Sequence, residues 1–129
     1  FVGDQSPQDA TRPGIEDGDQ RRDFISVDDA VAVLSWFLEN PRVSGLFNVG
    51  TGEARSFRDL ITSAFTALGR KPAIEYVEMP AAIRDQYQYF TQGSVEKLRK
   101  AGYARAFTPL EEAVGNYVTG FLDRPDRYR

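Results

Sequence analysis

Arg22 stands beside Asp23 at the head of a short β-prone run, in the stretch RRDFISVDD (residues 21–29). A guanidinium is always charged and presents a fork of donors that matches two phosphate oxygens, so this arginine is a natural clamp for a diphosphate. Asp23 can hold that fork, or it can be an exposed neighbour of Arg21 in a surface pair worth little. A second candidate is FNVGTG, residues 47–52, which has the glycine density of a phosphate cradle but not the G-x-G-x-x-G spacing. The same glycines suit a plain turn in which Gly50 or Gly52 takes a positive φ. In RDQYQYFTQ, residues 84–92, Arg84 lies among Tyr87, Tyr89 and Phe90. Such rings can stack on a base or a sugar, and they serve equally well in a core or an interface. Lys97, Arg99 and Lys100 read most simply as the solvated face of a helix.

The chain contains no cysteine and no histidine. Disulfides, thiolate nucleophiles and Cys-based zinc sites are therefore excluded, as are Ser-His-Asp chemistry and His-ligated metals. Any catalysis would rest on carboxylates, Tyr, Lys or Ser. A net charge of −3 gives no electrostatic case for nucleic acid or an anionic membrane surface. No apolar run approaches the roughly 18 residues that suggest a membrane span. At 129 residues, with 41% hydrophobic and 27% charged, the sequence is that of one ordinary globular domain.

Several elements must position these candidates. Residues 4–20 are polar and carry Pro7, Pro13, Gly14 and Gly18, so residues 1–20 read as a flexible loop. Phe24–Val27 is a brief strand candidate. Val27, Ala30, Val31, Leu34, Phe37 and Leu38 then recur at helical spacing through Glu39. Ser26 or Asp28 can cap that helix, and Asn40-Pro41 ends it. Gly45–Gly52 reads as a short apolar strand entering a glycine turn. The strongest helix follows, with Ser56 and Asp59 as a capping pair, Phe57, Leu60, Ile61, Ala64 and Leu68 on one face, and Gly69 as its stop. Ile74–Val77 is β-prone, and Val95–Ala101 is a short helix ended by Gly102. TPLE, residues 108–111, predicts a last helix with Thr108 as cap and Glu111 reaching back, its core face formed by Leu110, Val114, Tyr117, Val118 and Phe121. Residues 123–129 are a charged tail. Helices alternating with short strands predict a piece of an α/β protein, with apolar surface left for something else to cover.

The order of these motifs carries a resemblance. R-D-F-x-x-V-x-D, then W-F-L-E-N, then S-G-x-F-N-x-G-T-G, resembles the C-terminal part of the extended short-chain dehydrogenase/reductase sugar-nucleotide epimerases. Y-Q-Y-F-T-Q and A-G-Y continue it, so that it spans residues 19–122. The resemblance is to the branch acting on ADP-heptose. It implies that Arg22 binds the substrate diphosphate, that Tyr87 lines the sugar-nucleotide site, and that Phe1 and Gly3 match the start of a substrate-binding segment. Asp28 or Asp29 would be structural. The same relatives carry a Gly-rich Rossmann fingerprint for NADP or NAD and a Tyr-x-x-x-Lys pair for proton transfer. Neither motif is present, and the chain opens on Phe1 with Met79 as its only methionine.

The expectation is a C-terminal fragment of α/β class, mostly helical, with the Rossmann core largely absent. Residues 21–122 would be a substrate-binding domain that binds a nucleotide-diphosphate sugar such as ADP-heptose but does not catalyse alone. Its parent would be a cytoplasmic, homo-oligomeric isomerase of lipopolysaccharide biosynthesis, working with a nicotinamide held by an N-terminal half. Two alternatives remain open: another nucleotide-sugar epimerase, dehydratase or reductase of the superfamily, and a non-catalytic sugar-nucleotide-binding or interaction module.

Overall fold

A computed structural model describes residues 18–77, 82 and 87–124. Residues 1–17, Arg84, Gln86 and the end of the tail lie outside the described residues. The elements are β1 (Arg21–Arg22), α1 (Val27–Glu39), β2 (Arg55–Ser56), α2 (Phe57–Ala67), α3 (Glu96–Lys100) and α4 (Leu110–Tyr117). A π-helical turn, Val118–Leu122, continues α4. The chain is thus small, α/β and mostly helical.

α1 starts where Ser26 accepts a hydrogen bond from the Asp28 N–H, and it stops at Asn40. Ser26 supplies the cap; Asp28 is exposed in the first turn. The carboxylate of Asp29 does something different. It is 1% exposed, and its Oδ2 accepts from the Thr108 N–H at 2.7 Å, tying α1 to the approach of α4. That bond occupies the N–H to which Glu111 was expected to reach back, and Glu111 turns to Arg55 instead; α4 begins after Pro109 with no side-chain cap, so Thr108 is not its cap. α2 has the full capping box, Asp59 N–H to Ser56 Oγ at 3.0 Å and Ser56 N–H to Asp59 Oδ2 at 3.2 Å. Gly69 leaves the helix at φ +64°, a conformation that an L side chain resists.

The main core joins α1 to α3. Val33, Leu98 and Tyr103 are buried, and Trp36, Phe37, Phe47 and Phe107 pack against them. The apolar residues of α1 divide between two faces. The inward side is Asp29 and Val33 with half-buried Trp36 and Phe37, while Val27, Val31, Leu34 and Leu38 face outward. Helical spacing found a real apolar stripe but not which of two apolar faces meets this core. α2 packs on α4 and on the turn after it, with Ser63, Leu110 and Val118 buried. Ser63 sits on that face because its hydroxyl donates to the Asp59 carbonyl of its own helix at 2.8 Å.

None of the three expected strands forms. Phe24–Val27, Gly45–Gly52 and Ile74–Val77 carry no ladder, since a strand is defined by a partner that the neighbouring sequence does not provide. β1 pairs antiparallel with β2, Arg21 opposite Ser56 and Arg22 opposite Arg55. On its other edge Arg21 N–H donates to the Tyr89 carbonyl (2.8 Å) and Thr91 N–H to the Arg21 carbonyl (3.1 Å). Two of the three basic side chains expected to be solvated, Lys97 and Arg99, also do structural work. Lys97 Nζ donates to the Leu46 carbonyl over the Phe47 ring, and Arg99 lies 4.7 Å above the Phe107 ring centroid.

Asp29→Ala leaves the half-buried Thr108 N–H without its acceptor, so it should lower the unfolding free energy by roughly 1–3 kcal/mol. Urea melts of the two proteins would measure this.

Candidate functional site

Three segments meet at β1. β2 flanks one edge, residues 89–91 flank the other, and Phe57 N–H donates to the Gln20 carbonyl at 3.0 Å. Successive side chains on such a segment point to opposite sides. Arg22 and Asp23 accordingly act on different partners, and neither the fork-holding pair nor the Arg21–Asp23 surface pair is present.

Asp23 forms a clasp. Oδ1 accepts from the Thr51 N–H (2.7 Å) and the Thr51 hydroxyl (2.5 Å); Oδ2 accepts from the N–H groups of Gly52 (3.0 Å) and Gly93 (3.0 Å). One half-buried carboxylate thus joins three parts of the chain far apart in sequence. Gly52 has φ +79°, as a turn reading of FNVGTG requires. Gly50 is needed for closeness: a Cβ there would stand 2.5 Å from Asp23 Oδ2.

Arg22 lies on the other side. Its guanidinium donates to the carbonyls of Arg21 (2.8 Å) and Gln88, and its Cζ is 5.3 Å from the Tyr87 ring centroid and 5.9 Å from that of Phe57. Tyr87 in turn meets Tyr89 edge to face at 5.2 Å. Two of the expected site residues, Arg22 and Tyr87, are therefore brought together; Phe1 and Gly3 lie outside the described residues. Arg22 makes no ion pair among the described residues, in contrast to Arg55 and Arg58. Two of its five donors end on carbonyls, and among the described residues its charge meets ring faces and carbonyls but no carboxylate, which leaves it receptive to an anion.

Sequence reading singled out Arg22 and Tyr87, and it named Asp23 and Gly52 in other roles, but it did not find the clasp that joins Asp23 to Thr51, Gly52 and Gly93. The signal for Asp23 is the alternation of side chains along an extended segment, which sends it away from Arg22.

Beside β1, Arg55 binds two carboxylates: Nε to Asp59 Oδ2 at 3.2 Å and Nη2 to Glu111 Oε1 at 2.6 Å, linking β2 to α4. Burial pushes the Asp59 carboxyl up, but hydrogen bonds from Ser56 and Arg55 outweigh it and hold the group below its ordinary 3.8. The hydrogen bond from Arg55 lowers Glu111 below its ordinary 4.5. That of Arg55 is raised, chiefly by its hydrogen bond to Glu111.

Residues 7–50 match the family model described as NAD dependent epimerase/dehydratase family. Over 116 residues the chain is 49% identical to a protein of Nitratidesulfovibrio vulgaris (strain DP4) named ADP-L-glycero-D-manno-heptose-6-epimerase, covering 90% of this chain and 36% of that protein. A Fusobacterium nucleatum protein of the same name is 39% identical over 123 residues, covering 91% of this chain and 37% of its own length. The chain is a homologue of these epimerases. It spans a little over a third of the length of the curated relatives it matches.

A dinucleotide site needs backbone N–H groups free to point at a pyrophosphate. In this homologue the glycine turn does not meet that need, because the Thr51 and Gly52 N–H groups already end on Asp23. The turn is a folding joint, and it does not fit a nicotinamide dinucleotide.

Two outcomes follow from the clasp and the ion pairs. Gly50→Ala should destabilise the chain by roughly 1–3 kcal/mol, because the added methyl must displace Asp23; denaturant melts would show it. Asp59 and Glu111 have lowered folded-state values, so their contribution is present above the unfolded values near 4 and is lost as the pH falls through the lower folded ones. Melting temperature should therefore drop below about pH 4.5, and Glu111→Gln should flatten part of that drop.

Proposed function

We propose that this chain is the substrate-binding part of a nucleotide-sugar epimerase, residues 21–122 forming the binding unit. The enzyme interconverts ADP-D-glycero-D-manno-heptose and ADP-L-glycero-D-manno-heptose in the cytoplasm, for lipopolysaccharide assembly. The observation that carries this reading is Arg22: a half-buried guanidinium with no carboxylate partner among the described residues, seated against Tyr87 and Phe57. The names of the similar proteins support the substrate class.

In this reading Arg22 binds the diphosphate through its remaining donors. Carbonyl contacts to Arg21 and Gln88 fix the plane of the fork, so little rotamer freedom is lost on binding. Tyr87 covers one face of the guanidinium, excludes water from it and lines the sugar-nucleotide site. Phe1 and Gly3 begin a further binding segment. NAD or NADP, when bound by the other part of the enzyme, supplies reversible hydride transfer. The Rossmann core and the Tyr-x-x-x-Lys pair belong to that other part, and the 129-residue chain alone is inactive.

Thermal-shift titrations with ADP, ADP-glucose and UDP-glucose test the reading. The ADP ligands should stabilise the chain, and Arg22→Ala should weaken that binding by about tenfold or more, the loss of a charge-assisted contact. A cooperative melt unmoved by every ligand, or an equal shift in the variant, would count against it.

A further inference from the structure

The β1–β2 ladder sets two arginines against each other. Arg22 stands opposite Arg55. Residues opposed in an antiparallel pair put their side chains on one face, with Cβ atoms about 5 Å apart. Aromatic contacts trace that face: Phe57, two residues beyond Arg55, meets the Phe24 ring edge to face at 5.4 Å and lies 5.9 Å from Arg22 Cζ. Like charges placed directly opposite repel and cost stability. The same pair suits an anion that carries more than one charge.

The chain offsets this repulsion on one arginine only. Arg22 meets no carboxylate among the described residues, whereas Arg55 meets two. Those two are held differently. Asp59 also accepts from the Ser56 N–H in the capping box, so the start of α2 fixes it. Glu111 faces Arg55 with both oxygens, Nη2 at 2.6 Å and Nη1 at 3.4 Å, from a side chain that is 58% exposed. An ion pair with so exposed a partner is weak and exchangeable. A phosphate offers the same two-oxygen face to the same pair of Nη groups.

We infer that Arg55 is a second anion-binding residue of the Arg22 site, and that a phosphate of the ligand displaces Glu111 from it. Arg22 balances one charge of a diphosphate bridge, and Arg55 balances the other. Asp59 keeps its hold on Nε, so the fork stays placed while its partner changes. Glu111 is then a competitor of the ligand as well as a tie between β2 and α4. The inference rests on the proposed diphosphate role of Arg22, and it adds a preference for two linked phosphates over one.

The test is calorimetric titration of the 129-residue chain with ADP-glucose and with AMP, each variant being melted alongside. Glu111→Gln should bind ADP-glucose about threefold tighter than wild type, although it weakens a tie and melts lower. Arg55→Gln should bind ADP-glucose about tenfold more weakly, with AMP binding little changed. A purely structural Arg55–Glu111 pair gives the opposite sign for Glu111→Gln: a lower melt with equal or weaker binding. That result would overturn the inference, as would an Arg55→Gln protein that melts cooperatively and binds ADP-glucose like wild type. If Arg22→Ala weakens binding while the Arg55 and Glu111 variants leave it unmoved, the Arg22 reading stands and this one falls. If ADP-glucose binds neither wild type nor Glu111→Gln, both fall.

Discussion

The carboxylate of Asp23 is the contact on which the site depends. It gathers donors from residues 51, 52 and 93, and so fixes the segment leading back to Tyr87 against the strand that carries Arg22. Acceptance of several N–H bonds by one ionised group is a strong local arrangement. The glycines around it follow from that. Gly50 must lack a side chain because the carboxylate occupies the space, and Gly52 must take the left-handed conformation to present its N–H. A sequence feature that looks like a phosphate cradle is therefore filled from within, and anion recognition is left to Arg22 on the other side of the strand.

Asp29 does for the helical layer what Asp23 does for the ladder. Both are acidic side chains in RRDFISVDD that satisfy backbone donors on distant segments, and both leave their neighbours free for other work. Because two such polar joints and a small aromatic core hold the chain, its regular structure is short and its apolar residues are not all consumed. The outward stripe on α1 is the residue of that imbalance.

Much of the helical layer was legible in the sequence because its signals are local. The Val27–Glu39 helix, the Ser56–Asp59 capping box and the Gly69 stop each depend on residues within a turn of one another. The strands were not legible, since pairing depends on partners far along the chain, and β1 falls on Arg21–Arg22, not on the more β-prone Phe24–Val27. The inward face of α1 was not legible for a related reason: periodicity reports a stripe but not which layer meets it. Glu111 looked set to reach back to the Thr108 N–H, which a buried carboxylate seventy-nine residues earlier takes instead. Arg22 and Tyr87 were legible as chemistry, while the clasp that assembles them lay in residues that read as a plain turn.

Amide hydrogen exchange in wild type and Asp23→Asn is the most direct measurement of whether that clasp assembles the site. The exchanged side chain keeps its shape but turns a donor toward donors. In wild type the amides of Thr51, Gly52 and Gly93 should be protected; in the variant they should exchange at least about tenfold faster, together with Arg21 and Thr91, while Val33 and Leu98 stay protected. Unprotected amides at residues 51, 52 and 93 in wild type, or Arg21 and Thr91 unmoved in the variant, would contradict the central role given to Asp23.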